Sequence, residues 1–177
     1  MLKKYKIISI ILILILSVTA CSQTNNKKNK NIETHVIVDC IGRSVEVPKN
    51  VERIGCMYTV SGHVVTMLGA GEKIVAVTNG LKRDKLLHKI NPSILNAVTA
   101  KSSGAINIEE LLKVNPDVVL VDRVIGTNEK EKEKFEKFNI PYLIVDFHSI
   151  EDQQYLVRMI GQVVGNEQKA TEFNNFY

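Results

Sequence analysis

The sequence predicts an α/β protein, a three-layer parallel-sheet domain with an N-terminal β-hairpin, and three observations carry that expectation. From residue 53 onward, short apolar runs alternate with amphipathic stretches of helical period. Val118-Val119-Leu120-Val121 has no polar alternation, as expected of a strand covered on both faces. Ahead of this region two β-prone runs flank Gly42, which is the pattern of a hairpin.

The elements follow in chain order. Lys3, Lys4 and Lys6 precede an apolar run over 7–18 and then Val18-Thr19-Ala20-Cys21. Positive flank, short apolar core and small residues before a cleavage point make residues 1–20 an export signal. The run has about 12 residues, against roughly 20 for a helix that spans a bilayer. It is therefore expected to be removed. A cysteine directly after such a site resembles the lipobox of bacterial lipoproteins. The resemblance implies that Cys21 is acylated and holds the protein on the lipid membrane, on the extracytoplasmic face of the cell; an ordinary secretory peptide is the alternative. Residues 22–31 are rich in Asn and Lys and cannot bury a core, so 21–34 is expected to be a lipidated cysteine with a flexible tether.

The net charge of +4 belongs to this leader. The signal holds three of the 23 basic residues and none of the 19 acidic ones, leaving 20 against 19. Without Lys27, Lys28 and Lys30 the balance is 17 to 19. The basic pI of about 8.9 thus gives no argument for nucleic acid. Cys40 and Cys56 belong to no CxxC pair, and His35, His63, His88 and His148 lack metal-ligand spacing. No metal site is signalled. Two buried free thiols are expected ahead of a bridge, which the oxidising location would permit.

Runs over 35–39 and 44–47 form the hairpin, ended by Pro48. Strands are read at 53–57, 73–77, 117–121 and 142–145, with a weak one at 97–99, and helices at 62–68, 83–89, 108–114 and 129–138. Asn107 with Glu110 has the spacing of a capping box, and Ser149 with Asp152 a weaker version. Leu156, Met159, Ile160, Val163 and Val164 place a helix over 150–164, stopped by Gly165. Asn166 then caps a helix running to 177.

Ligands of open parallel sheets bind outside the carboxyl ends of the strands. The loops there carry Tyr58, Ser61, His63, Asn79, Lys82, Arg83, Lys101, Ser102, Ser103, Arg123 and His148, of which Tyr58, Ser61, Lys82, Arg83, Ser102 and Arg123 are the expected ligand contacts. Hydroxyls and cations in that number suit an anionic ligand with many oxygen acceptors. Gly69-Ala70-Gly71 follows a helix and precedes a strand, the reverse of a phosphate loop. No G-x-S-x-G elbow exists, and Ser61 and His63 are not spaced as nucleophile and base, so no catalytic residues are assigned. The charged run 128–137 reads as a solvated helix face.

The segments DCIGRSVEVPKNVER over 39–53 and INIEELLKVNPDVVLVD over 106–122 resemble the iron-siderophore, haem and cobalamin class of ABC-transporter substrate-binding proteins. Members of that class share a D-x-x-G-R-x-V-x-V-P hairpin followed by ERI, and an N-[IL]-E-x-[IL] helix start ahead of P-D. The resemblance implies two α/β lobes joined by a long helix, with the ligand between them. Residues 35–165 would be the first lobe and 166–177 the start of the inter-lobe helix, with the second lobe missing. It further implies a monomeric, non-enzymatic receptor without cofactor that passes a ferric chelate or similar metal complex to an ABC-transporter permease. By motif position Glu109 would dock on permease arginines. A receptor for bare Zn or Mn, or an exported enzyme or adhesion module on the same lobe, are the alternative readings.

Overall fold

Residues 33–176 are described by the computed structural model, so the export signal, Cys21 and nearly all of the tether lie outside the described residues, as does Tyr177. In chain order the elements are β1 (Thr34–Val38), β2 (Ser44–Pro48), β3 (Ile54–Cys56), α1 (Thr59–Met67), a 3-10 turn (Gly71–Lys73) and β4 (Ile74–Thr78). Then come α2 (Asn79–Arg83), α3 (Lys85–Ile90), a second 3-10 turn (Pro92–Leu95), β5 (Val98–Ser102), β6 (Ala105–Ile106) and α4 (Ile108–Val114). The last are β7 (Val118–Asp122), α5 (Arg123–Gly126), α6 (Glu129–Lys137), β8 (Tyr142–Val145), α7 (Ile150–Val164) and α8 (Glu167–Asn175).

The main sheet has the order β6-β5-β4-β3-β7-β8, and every pairing is parallel except β5 with β6. Its two faces are visible in β7 alone. Val118 and Leu120 join the core under the hairpin, α1 and α7, whereas Val119 and Val121 join the core under α4 and α6. All four are fully buried. That is the three-layer α/β arrangement expected from the unbroken apolar run, and burying each such side chain is worth roughly 1.5–3 kcal/mol.

The D-x-x-G-R turn of the hairpin is a structural device. The buried Asp39 carboxylate accepts from the Ile41 and Arg43 amides, from Arg43 Nε at 2.8 Å, and from the Ile144 amide of β8 at 3.1 Å. Gly42 supplies the turn with φ +85°. Arg43 also donates to the Tyr142 carbonyl and lies 4.2 Å over its ring, which stacks in turn on Phe135. The hairpin is thereby fastened along β8.

Several local expectations are revised. The helix read over 83–89 is two helices, because Asp84 ends α2 and its Oδ1 accepts from the Leu86 and Leu87 amides to start α3. The capping box at α4 is half made: Asn107 Oδ1 caps Glu109 and Glu110, but Glu110 pairs with Lys113, and the Asn107 amide goes to the Ala100 carbonyl. At α7, Ser149 caps Asp152 as expected, and the Asp152 carboxylate accepts from the His148 amide. Gly165 stops α7 in the left-handed region, and α8 returns along it, with Ala170 against Gly161 and Asn174 bonded to the Gln154 carbonyl. Cys40 and Cys56 are free thiols, as favoured. None of the described helices is long and apolar enough to cross a membrane.

Candidate functional site

The sheet order changes direction between β3 and β7, whose crossovers leave to opposite sides. The loops at the carboxyl ends of these strands therefore diverge and leave a crevice. Two open hollows lie there and share Tyr58, Lys101 and Gly104. One, of about 220 Å³, runs towards Thr59, Asn79 and Ser102. The other, of about 450 Å³, runs towards Arg123, Val124 and Asp146, within the ordinary range for a small-ligand site.

Each wall is held by local chemistry. Tyr58 precedes α1 in extended conformation, makes no side-chain cap bond, packs partly against the core and lines both hollows. Ser102 ends β5 at a two-residue turn, Ser103-Gly104, in which both residues have positive φ. Such a turn needs left-handed backbone at both positions, and Gly104 meets that need without strain. Asp122 ends β7, accepts from the Ile125 amide to start α5, and takes the Lys101 ammonium on its other oxygen. Arg123 donates to Asp146 at 2.8 Å, and His148 Nε2 lies 3.4 Å from the same oxygen. The Arg123 hydrogen bond, with the neighbouring His148 charge, holds the Asp146 carboxyl below the usual range.

Of the six expected ligand contacts, the structure brings Tyr58, Ser102 and Arg123 together around these hollows. It does not bring the other three. Ser61 is fully buried and donates to the Tyr58 carbonyl at 2.7 Å. The Lys82 ammonium is spent on the carbonyls of Leu95 and Ala97. Arg83 ends α2 exposed and lines neither hollow. The physical reason is that 79–83 is a helical turn, not an open loop, and it carries Lys82 and Arg83 off the crevice. Lys101 was placed in the carboxyl-end loops but not assigned to the ligand, and the carboxylates Asp122 and Asp146 were not singled out. Their signal was position: Lys101 is the penultimate residue of β5, Asp122 closes β7 and Asp146 follows the last residue of β8.

Glu109 is exposed in the first turn of α4, beside a separate hollow between Thr99 and Ile108. A further hollow of about 360 Å³ between α1, α7 and α8 is apolar, and its His63 is paired with Asp84 at 2.8 Å. Burial pushes the Cys56 thiol up to about 12, so it offers no nucleophile near neutrality. Among the described residues, no three His, Cys, Asp or Glu side chains cluster as metal ligands. What the crevice can do is hold a ligand by hydrogen bonds, ring contact and two exchangeable ion pairs.

Comparisons with known proteins identify the family and the fold. The profile of a family described as periplasmic binding protein matches residues 55–177. The molybdate-binding protein MolA of Haemophilus influenzae is 28% identical over 88 residues, 49% of this chain and 25% of its own length. Its molybdate-bound structure superimposes with a TM-score of 0.72 at 20% identity, covering 80% of this chain and 49% of MolA. A periplasmic solute binding protein from Veillonella parvula gives 0.72 at 21% identity, covering 81% and 45%. Staphylococcus aureus SirA, complexed with staphyloferrin B, gives 0.64 at 22% identity, covering 81% and 47%. The chain spans about half the length of these solved proteins.

Proposed function

The chain belongs to the periplasmic binding protein family, and from that premise we propose that it is the first lobe of an extracytoplasmic substrate-binding lipoprotein. It serves an ABC importer and carries a ferric-siderophore or related metal complex. In this reading residues 35–165 form the lobe, α8 leads into the inter-lobe helix, Cys21 anchors the protein to the membrane and Glu109 meets the permease. The observation that carries the proposal is the crevice between β3 and β7, where Tyr58, Lys101, Ser102 and Arg123 converge at the carboxyl ends of the strands.

The charge of that crevice favours a chelate over a bare oxyanion. Lys101 and Arg123 are each matched by a carboxylate, Asp122 and Asp146. A compact dianion would have to displace both acids without replacing their partners. A larger complex can lay ring or aliphatic surface on Tyr58 and on Val124, which is 79% exposed, and take one cation at its periphery.

Isothermal titration of the full chain with ferric citrate, a ferric catecholate, haemin and molybdate tests this. A ferric complex should bind, and Lys101→Ala and Arg123→Ala should each weaken it about tenfold, in line with loss of a charge-assisted hydrogen bond. Lys82→Ala should change affinity less than about twofold, because its ammonium serves backbone carbonyls. Binding of molybdate alone, or a larger loss from Lys82→Ala than from Arg123→Ala, would overturn the proposal.

A further inference from the structure

The segment from Leu81 to Leu95 has a surface unlike that of the crevice. Leu86 and Ile90 stand one turn apart on α3 and are 68% and 66% exposed, while Leu95 in the following 3-10 turn is 52% exposed. The buried Leu87 pins α3 to the core. Lys82 binds the Leu95 and Ala97 carbonyls, so the 3-10 turn comes back along α3 and returns Leu95 towards its start. Lys85 and Lys89 are interleaved with Leu86 and Ile90 along α3, Arg83 ends α2 just before it, and all three cations are exposed. None of them takes part in an ion pair among the described residues. The one acid of the segment, Asp84, is committed to the α3 cap and to His63.

We infer that this face docks on an anionic lipid surface. Aliphatic side chains interleaved with uncompensated cations are the composition of an interfacial contact, the former entering the acyl boundary and the latter binding headgroup phosphates. Protein interfaces are depleted in lysine and enriched in aromatic residues, whereas this face has two lysines and no aromatic residue. Three cations should favour an anionic over a neutral membrane by on the order of 100-fold. The contact is weak for a free protein. It gains effective concentration from a short tether, and for that gain alone the inference rests on the lipid anchoring proposed above.

Flotation of residues 22–177, the chain without its export signal and Cys21, with phosphatidylglycerol and with phosphatidylcholine vesicles tests it, since neither importer nor metal complex is needed. The chain should float with the anionic vesicles and not with the neutral ones. Lys85→Glu with Lys89→Glu should abolish flotation, and Leu86→Ser with Ile90→Ser should reduce it at least fivefold, with unchanged far-UV circular dichroism in both. Equal partition into both vesicles, flotation untouched by the charge reversal, or none with phosphatidylglycerol would overturn the inference. A chain that binds a ferric complex yet does not float would sink the docking face and leave the receptor reading standing.

Discussion

Asp39 with Arg43 and Asp146 with Arg123 are the same chemical pair at the same 2.8 Å separation, set in opposite surroundings. The Asp39 side chain is wholly buried and accepts four hydrogen bonds, one of them from β8. Asp146 faces an arginine whose side chain is 57% exposed and has a histidine as its other neighbour. The first carboxylate is satisfied from every side by its own chain, so it fixes structure and can exchange nothing. The second is held by a half-exposed arginine and an exposed histidine at the mouth of the crevice, which in the proposed reading lets a ligand compete for Arg123. Burial and number of partners, not residue type, separate a fixed ion pair from an exposed one.

The comparison breaks most easily at Asp39. Asp39→Ala leaves the Ile144 amide and the Arg43 guanidinium without their acceptor, and should cost about 3–5 kcal/mol, read as a lower urea midpoint. A loss below about 1 kcal/mol would mean that the two pairs do not differ. Gly126→Ala comes next. Its added Cβ would overlap the side chain of Ile144, and overpacking of that kind costs about 1–3 kcal/mol, measured in the same unfolding experiment. A neutral result would show that α5, which carries Arg123, can shift without disturbing β8.

The smallest effect belongs to Asp146. Its native pKa is lowered, so its contribution to stability is present above the ordinary carboxylate value near 4 and is lost as pH falls through the lower native value. Asp146→Asn should therefore lose less than about 1 kcal/mol at pH 7 and converge with the parent as pH falls through the lowered native value. Thermal unfolding across pH checks the sign, because a variant that gains ground on raising the pH would reverse it.

The sheet was legible because its strands are unbroken apolar runs and its long helices keep their period, as over 150–164. The hairpin motif was legible as a pattern, but its meaning was not, since Asp39 acts on an amide 105 residues away. Tyr58, Ser102 and Arg123 line the crevice where the rule on carboxyl ends placed them, because that rule depends only on strand order. Lys82 and Arg83 were read as loop residues because a five-residue helix such as α2 shows no period, and Ser61 because α1 starts at Thr59, three residues before the helix read from 62. Which carbonyl a lysine reaches is decided by tertiary contact alone. Lys101 went unassigned because its pairing with Asp122 joins two strands that are not neighbours in the sheet.

The fastening of the hairpin turn to β8 has a consequence for solubility. An outermost strand with unpaired backbone groups is a template on which other chains can add. Here the β8 amide and carbonyl of Ile144 and the carbonyl of Tyr142 are already taken, by Asp39, Cys40 and Arg43. At the opposite border β6 has only two residues, too short to seed pairing. The turn that begins the folded chain thus closes the sheet to growth, and weakening it turns a stability defect into an aggregating one.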